Sequence, residues 1–139
     1  MKFFITFTKK KLFLALLILS AVLVIIFNIR ASAGRFPDGL TNDHRVTFIE
    51  SLGLSADDSR VQSKTVIIPR NFSNVYTRYN ELQLKAGFDL SKFKGREATL
   101  YTYPLSEDRV VNLIVCKGKI IGGDIADTSF NGEMKPLKQ

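Results

Sequence analysis

The sequence predicts an α+β protein: one apolar helix ahead of a small two-layer domain, with two helices packed on a mostly antiparallel sheet of about four strands. Three observations carry this. An uncharged run begins at Leu12, two middle segments repeat their apolar residues at helical spacing, and the C-terminal third falls into short apolar or alternating stretches bounded by turn residues. At 139 residues there is room for one domain and a targeting segment.

The distribution of charge decides what the net +7 means. Lys2, Lys9, Lys10, Lys11 and Arg30 fall within residues 1–30, which hold no acid; the rest of the chain sets fifteen basic groups against thirteen acids and carries only +2. The excess therefore flanks an apolar segment, where it sets topology rather than binding a polyanion, and nucleic acid is not an expected partner. Cys116 is the only cysteine, so an intramolecular disulfide is excluded, and no thiol stands directly after the apolar run to carry a lipid. An exported domain without disulfides suits a bacterial envelope.

Residues 1–11 read as a basic cytoplasmic tail and residues 12–29 as a transmembrane signal anchor. Leu12 to Phe27 is apolar except for Ser20, and the run extends to Ile29 across Asn28. Eighteen helical residues cover about 27 Å, close to the ~30 Å hydrocarbon core. Lysines before the run and a single Arg30 after it place the N-terminus in the cytoplasm and the C-terminal domain outside. Ala31-Ser32-Ala33 before Gly34 also forms a small-residue cleavage pattern, so secretion after cleavage near Ala33 is the alternative. Both readings export the domain.

Residues 30–40 are turn-rich and read as a juxtamembrane linker, residues 41–130 as the exported domain and residues 131–139 as a tail in which Met134 and Leu137 are positioned to dock. Thr41 or Asn42 offers an N-cap to a helix over 42–52, with Val46, Ile49 and Leu52 on one face and Gly53 as its stop. A strand over 61–68 ends at Pro69. A second helix over 72–86 aligns Phe72, Val75, Tyr76, Tyr79, Leu82 and Ala86, and closes at Gly87. Strands follow over 97–103, 110–116 and 120–126. The second of these is apolar on both faces except at Asn112, as a central strand is; Gly118 suits a tight hairpin, and Gly122-Gly123 marks a bulge.

The Leu-Thr-Asn…Arg…Phe-Ile-Glu-Ser-Leu-Gly helix, Val-Ile-Ile-Pro, Tyr-Asn-Glu-Leu-Gln, Gly-Phe-Asp-Leu-Ser-Lys-Phe-Lys-Gly, Tyr-Thr-Tyr and Gly-Lys-Ile-Ile-Gly-Gly-Asp occur in that order. Over residues 40–130 this pattern resembles the domain of unknown function 4830 family, short membrane-anchored proteins of Gram-positive bacteria, and residues 87–95 are its most specific part. The resemblance implies an exported α+β domain in a bacterial envelope. That family has no assigned activity, so it implies no site residues.

No cluster amounts to a catalytic, cofactor or metal signature. His44 is the only histidine and pairs with Cys116 only if the fold unites them; on sequence it is a surface residue and Cys116 a small buried one. Asp124 and Asp127 form the best acidic pair, but two carboxylates are too few for a calcium site and suit a turn or bulge. Asp57-Asp58 reads as a solvated loop. Asn71-Phe72-Ser73 is a glycosylation sequon that also suits a helix N-cap. Tyr101, Tyr103, Arg78 and Arg96 compose an aromatic and basic interaction surface if exposed, or core if the tyrosines face the helices. The expected function is a membrane-anchored, non-catalytic binding module of the envelope, with a protein, a peptide or a wall polymer as partner. The alternative is a small hydrolase using carboxylates such as Asp124 and Asp127.

Overall fold

The computed structural model describes residues 9–32, 36–129 and 131–138, with the side chains of residues 27–32 left out. It falls into two compact units, Met1–Arg35 and Phe36–Gln139. The first is helix α1 (Lys9–Ser32), which opens on three lysines and continues without a charge to Ile26. Among the described residues, no helix is long and apolar enough to cross a membrane. The tail before Lys9, the side chains of Phe27–Ile29 that complete the expected span, and Ala33 of the cleavage pattern lie outside those residues.

The second unit begins earlier than the turn-rich composition suggests. Phe36 packs into the core, the Pro37 carbonyl accepts the Ile120 N–H at 2.9 Å, and Asp38 bridges to Lys119, so this half of the expected linker belongs to the domain. Helix α2 (Asn42–Ser51) starts where the Thr41 hydroxyl accepts the His44 N–H at 3.2 Å, and it stops where Gly53 takes φ +77°. Strand β1 (Gln62–Ile67) leads into helix α3 (Asn74–Lys85). The Ser73 hydroxyl caps α3 by accepting the Tyr76 N–H, so the sequon residue serves as the N-cap.

Strands β2 (Glu97–Pro104), β3 (Arg109–Cys116), β4 (Lys119–Asp127) and β5 (Met134–Pro136) follow, and the antiparallel sheet runs β1-β2-β3-β4-β5. The sheet thus has five strands rather than about four. The expected tail supplies the fifth, because Leu137 is buried and docks the segment beside β4. The expected bulge lies one residue earlier: Ile114 pairs with Gly122 and Val115 with Ile120, leaving Ile121 as the extra residue on β4.

The layering also differs from expectation. Phe48 and Ile49 of α2 pack with Tyr103, Val111, Leu113 and Val115. Tyr76 and Tyr79 of α3, with Leu90, pack with Ala98, Ile114 and Cys116. Successive strand residues face opposite ways, so the two helices cover opposite faces and the domain has three layers, not two. Fully buried Ile49 and Leu113 are each worth about 1.5–3 kcal/mol relative to exposure.

The far edge of β4 is closed along its length. Pro37–Gly39 pairs at its start, β5 pairs at its end, and between them the buried Gln83 Oε1 accepts the Gly123 N–H at 2.7 Å. Gln83 Nε2 has no partner among the described residues, a deficit of about 1–3 kcal/mol. Gly123 permits this closure: a Cβ there would sit 2.2 Å from the Asn112 carbonyl oxygen and 2.8 Å from Leu137 Cδ1. Gly123→Ala is therefore expected to destabilise the protein by about 1–3 kcal/mol, read as a lower urea midpoint; an unchanged midpoint contradicts this packing.

Candidate functional site

A polar row crosses the α3 face of the sheet. Gln62, Thr102, Asn112 and Asp124 stand opposite one another in register on four successive strands. The Thr102 hydroxyl donates to Asn112 Oδ1 at 2.7 Å, Asn112 Nδ2 donates to Asp124 Oδ2 at 2.9 Å, and the Tyr79 hydroxyl reaches from α3 to donate to Asp124 Oδ1 at 2.8 Å. The row runs from exposed Gln62 to Asp124, which is 2% exposed. No cation pairs with this carboxylate among the described residues. Burial raises the Asp124 pKa against the opposing pull of its two hydrogen bonds, and burial beside this carboxylate pushes the Tyr79 phenol upward. Strand register brings Thr102, Asn112 and Asp124 together and α3 adds Tyr79, so neither partner of Asp124 is visible in the sequence, where Asp127 is the neighbouring carboxylate.

Asp124 and Asp127 do not converge. Three positions apart on a strand, they face opposite ways, and Asp127 is exposed, accepting the Ser129 N–H at 2.8 Å. Hydrogen bonds from the Ser129 side chain and backbone hold the Asp127 pKa below its ordinary value, and it is the opposite orientation of the two side chains on β4 that keeps them from acting as a pair. The geometry offers no support for the carboxylate hydrolase.

The opposite face holds a buried cation. The Arg45 guanidinium lies 3.7 Å over the Tyr101 ring, donates from Nε to the Tyr103 hydroxyl at 2.8 Å and from Nη1 to the Gly39 carbonyl at 2.8 Å. The Tyr103 hydroxyl in turn donates to Asn42 Oδ1 at 2.8 Å. Tyr101 and Tyr103 do share a face, as alternation requires, but α2 covers it: Tyr103 is fully buried and Tyr101 half-buried. Arg78 is exposed on α3, across the sheet, and Arg96 is exposed ahead of β2. The four residues therefore do not form one interaction surface, because two of them seat α2 on the sheet.

His44 is exposed, with Nδ1 3.4 Å from Asp38 Oδ1, and Lys119 Nζ lies 3.7 Å from the same carboxylate. His44 and Asp38 line an open hollow of about 300 Å³ with Pro37, Thr47, Phe48 and Ser51. Cys116 is buried in the α3-side core with its thiol on the Glu97 carbonyl, so no His and Cys pair exists. Asp57 caps a short 3-10 turn (Asp58–Arg60) by accepting the Ser59 N–H. Among the described residues no three His, Cys, Asp or Glu side chains converge to hold a metal ion.

No protein-family model matches the sequence, and comparisons with curated proteins and with solved structures return no match.

The raised pKa of Asp124 has a signed consequence. Its protonated form favours the fold, so this stabilisation is complete below the unfolded value of about 3.9 and is lost as pH rises through the folded value. Asp124→Asn removes the ionisation, and the stability of the variant relative to the native protein should increase from about pH 4 and level off once the folded carboxyl is ionised, as read in urea titrations. A difference independent of pH contradicts the assignment.

Proposed function

We propose that the chain is a membrane-anchored extracytoplasmic interaction module. Helix α1 holds it in the bilayer with the N-terminus in the cytoplasm, and the unit from Phe36 onward engages a protein, a peptide or a polymer of the envelope. One observation carries the anchor. From Leu12 to Ile26 the described helix is apolar around its whole circumference, and its one polar side chain, Ser20, donates back to the Leu17 carbonyl at 2.8 Å. A helix that is apolar on every side needs an apolar medium, and a hydroxyl satisfied within the helix needs no water. Lys9, Lys10 and Lys11 favour the cytoplasmic side. The binding role rests on the separation of this helix from a compact unit whose two polar networks, around Arg45 and Asp124, are each engaged in holding helices to the sheet.

Protease added outside spheroplasts, followed by intact-mass analysis of the membrane and soluble fractions, tests the topology. The expected result is a full-length membrane species whose domain is digested only by external protease. A domain protected until lysis overturns the export, and a soluble species beginning near Gly34 overturns the retained anchor.

A further inference from the structure

The two edges of the sheet are finished differently. While β4 is covered by three separate devices, β1 is an edge strand with nothing paired to its outer side among the described residues. The Ile68 N–H donates inward to the Arg96 carbonyl at 2.9 Å. Antiparallel pairs alternate, so Val66 and Lys64 also bond inward, and the N–H and C=O groups of Ser63, Thr65 and Ile67 point away from the sheet. No helix shields this side: all of Gln62–Ile67 is exposed except half-buried Val66, and Ile67 is 68% exposed.

The surroundings are basic. Lys64 lies mid-strand, while the Gly95 N–H bond to the Ile68 carbonyl and the Ile68 bond to Arg96 set Lys94 and Arg96 beside the strand's far end. Arg70 follows, its side chain against Gly95. None of these four has an ion pair among the described residues, although Lys94 lies over the Phe72 ring. Glu97, opposite Ile67, is the nearby carboxylate. A hollow of about 130 Å³ lined by Gln62, Ser63, Lys64, Leu100 and Thr102 opens beside Lys64.

We infer that the free edge of β1 docks an extended acidic peptide segment, which adds to the sheet as a further strand. Its backbone takes the outward groups of Ser63, Thr65 and Ile67. An acidic side chain opposite Lys64 enters the hollow, and an apolar one three positions away, on the other face, covers Ile67. Strand addition supplies affinity through main-chain hydrogen bonds and selectivity through alternate side chains. Charge argues against a second copy of the chain as the occupant, because antiparallel self-pairing would double the cations along one edge. This inference rests on the reading of the domain as a binding module and names its partner.

The test uses the full chain in detergent micelles and a fluorescein-labelled ten-residue peptide alternating Val or Thr with Glu, read by polarisation. Thr65→Pro removes one outward donor without touching the β1–β2 ladder, and Lys64→Glu reverses the charge without altering the backbone. Saturable binding is expected, weakened about tenfold by either change and weakened by salt, with unchanged near-UV circular dichroism. A matching peptide with Lys for Glu should not bind. No binding, equal binding of both peptides, or affinity indifferent to both substitutions overturns the inference. Concentration-dependent dimers abolished by Thr65→Pro overturn it in favour of self-pairing. A chain that is anchored and exported yet ignores the peptide overturns this inference alone, because protease accessibility decides the topology separately.

Discussion

Strand β3 sets the terms for the rest of the domain. Val111, Leu113 and Val115 face one way, Ile114 and Cys116 the other, and all five are buried. A strand apolar on both faces is stable only when both faces are covered. One helix cannot do this, so α2 closes one side and α3, with the turn at Leu90–Phe93, closes the other. Strands β2 and β4 flank β3 on both edges, which leaves the margins to β1 and β5. The chain meets the constraint locally where it can: a Lys117-Gly118 turn with both residues at positive φ joins β3 to β4, and Gly122 leaves room for Gln83 and Leu90.

Helices α2 and α3 are each fixed to their face of the sheet by one ionisable group that has no ion pair among the described residues. Arg45 is surrounded by the Tyr101 ring, the Tyr103 hydroxyl and main-chain carbonyls, and Asp124 by Tyr79 and Asn112. Hydrogen bonds and ring contacts thus do the work that ion pairs do elsewhere. The Asp124 carboxyl is driven toward its neutral form by burial, against the pull of its two hydrogen bonds. These networks bind helix to sheet, and for that reason neither is free to bind anything else.

Local signals are legible where short-range chemistry decides them. Thr41 as one of two candidate caps, Gly53 and Gly87 as stops, and Gly118 in the hairpin follow from neighbouring residues alone, whereas the second helix, expected from residue 72, starts only after Ser73 caps it. The layering differs from the expectation although its cause lies in the sequence, since a central strand apolar on both faces demands cover on both. Two amphipathic helices are compatible with either arrangement, and their sequences do not say which face each takes. Strand β5 is three residues long and carries no periodicity; its place depends on Leu137 finding the core beside Gly123. Alternation puts Tyr101 and Tyr103 on one face of a strand, but whether that face is covered is a tertiary fact. The Asp124 network was illegible because Thr102, Asn112 and Asp124 are neighbours only once the register is fixed.

Among the described residues the protein closes one margin of its sheet and leaves the other open, and that open margin is the proposed means of contact. Residue-resolved hydrogen exchange on the intact chain tests this most directly. The amides of Ser63, Thr65 and Ile67 should exchange at near-unprotected rates, while those of Lys64, Val66 and Gly123 are protected. Equal protection along β1 would mean that its outer side is already occupied, and the open margin would be contradicted.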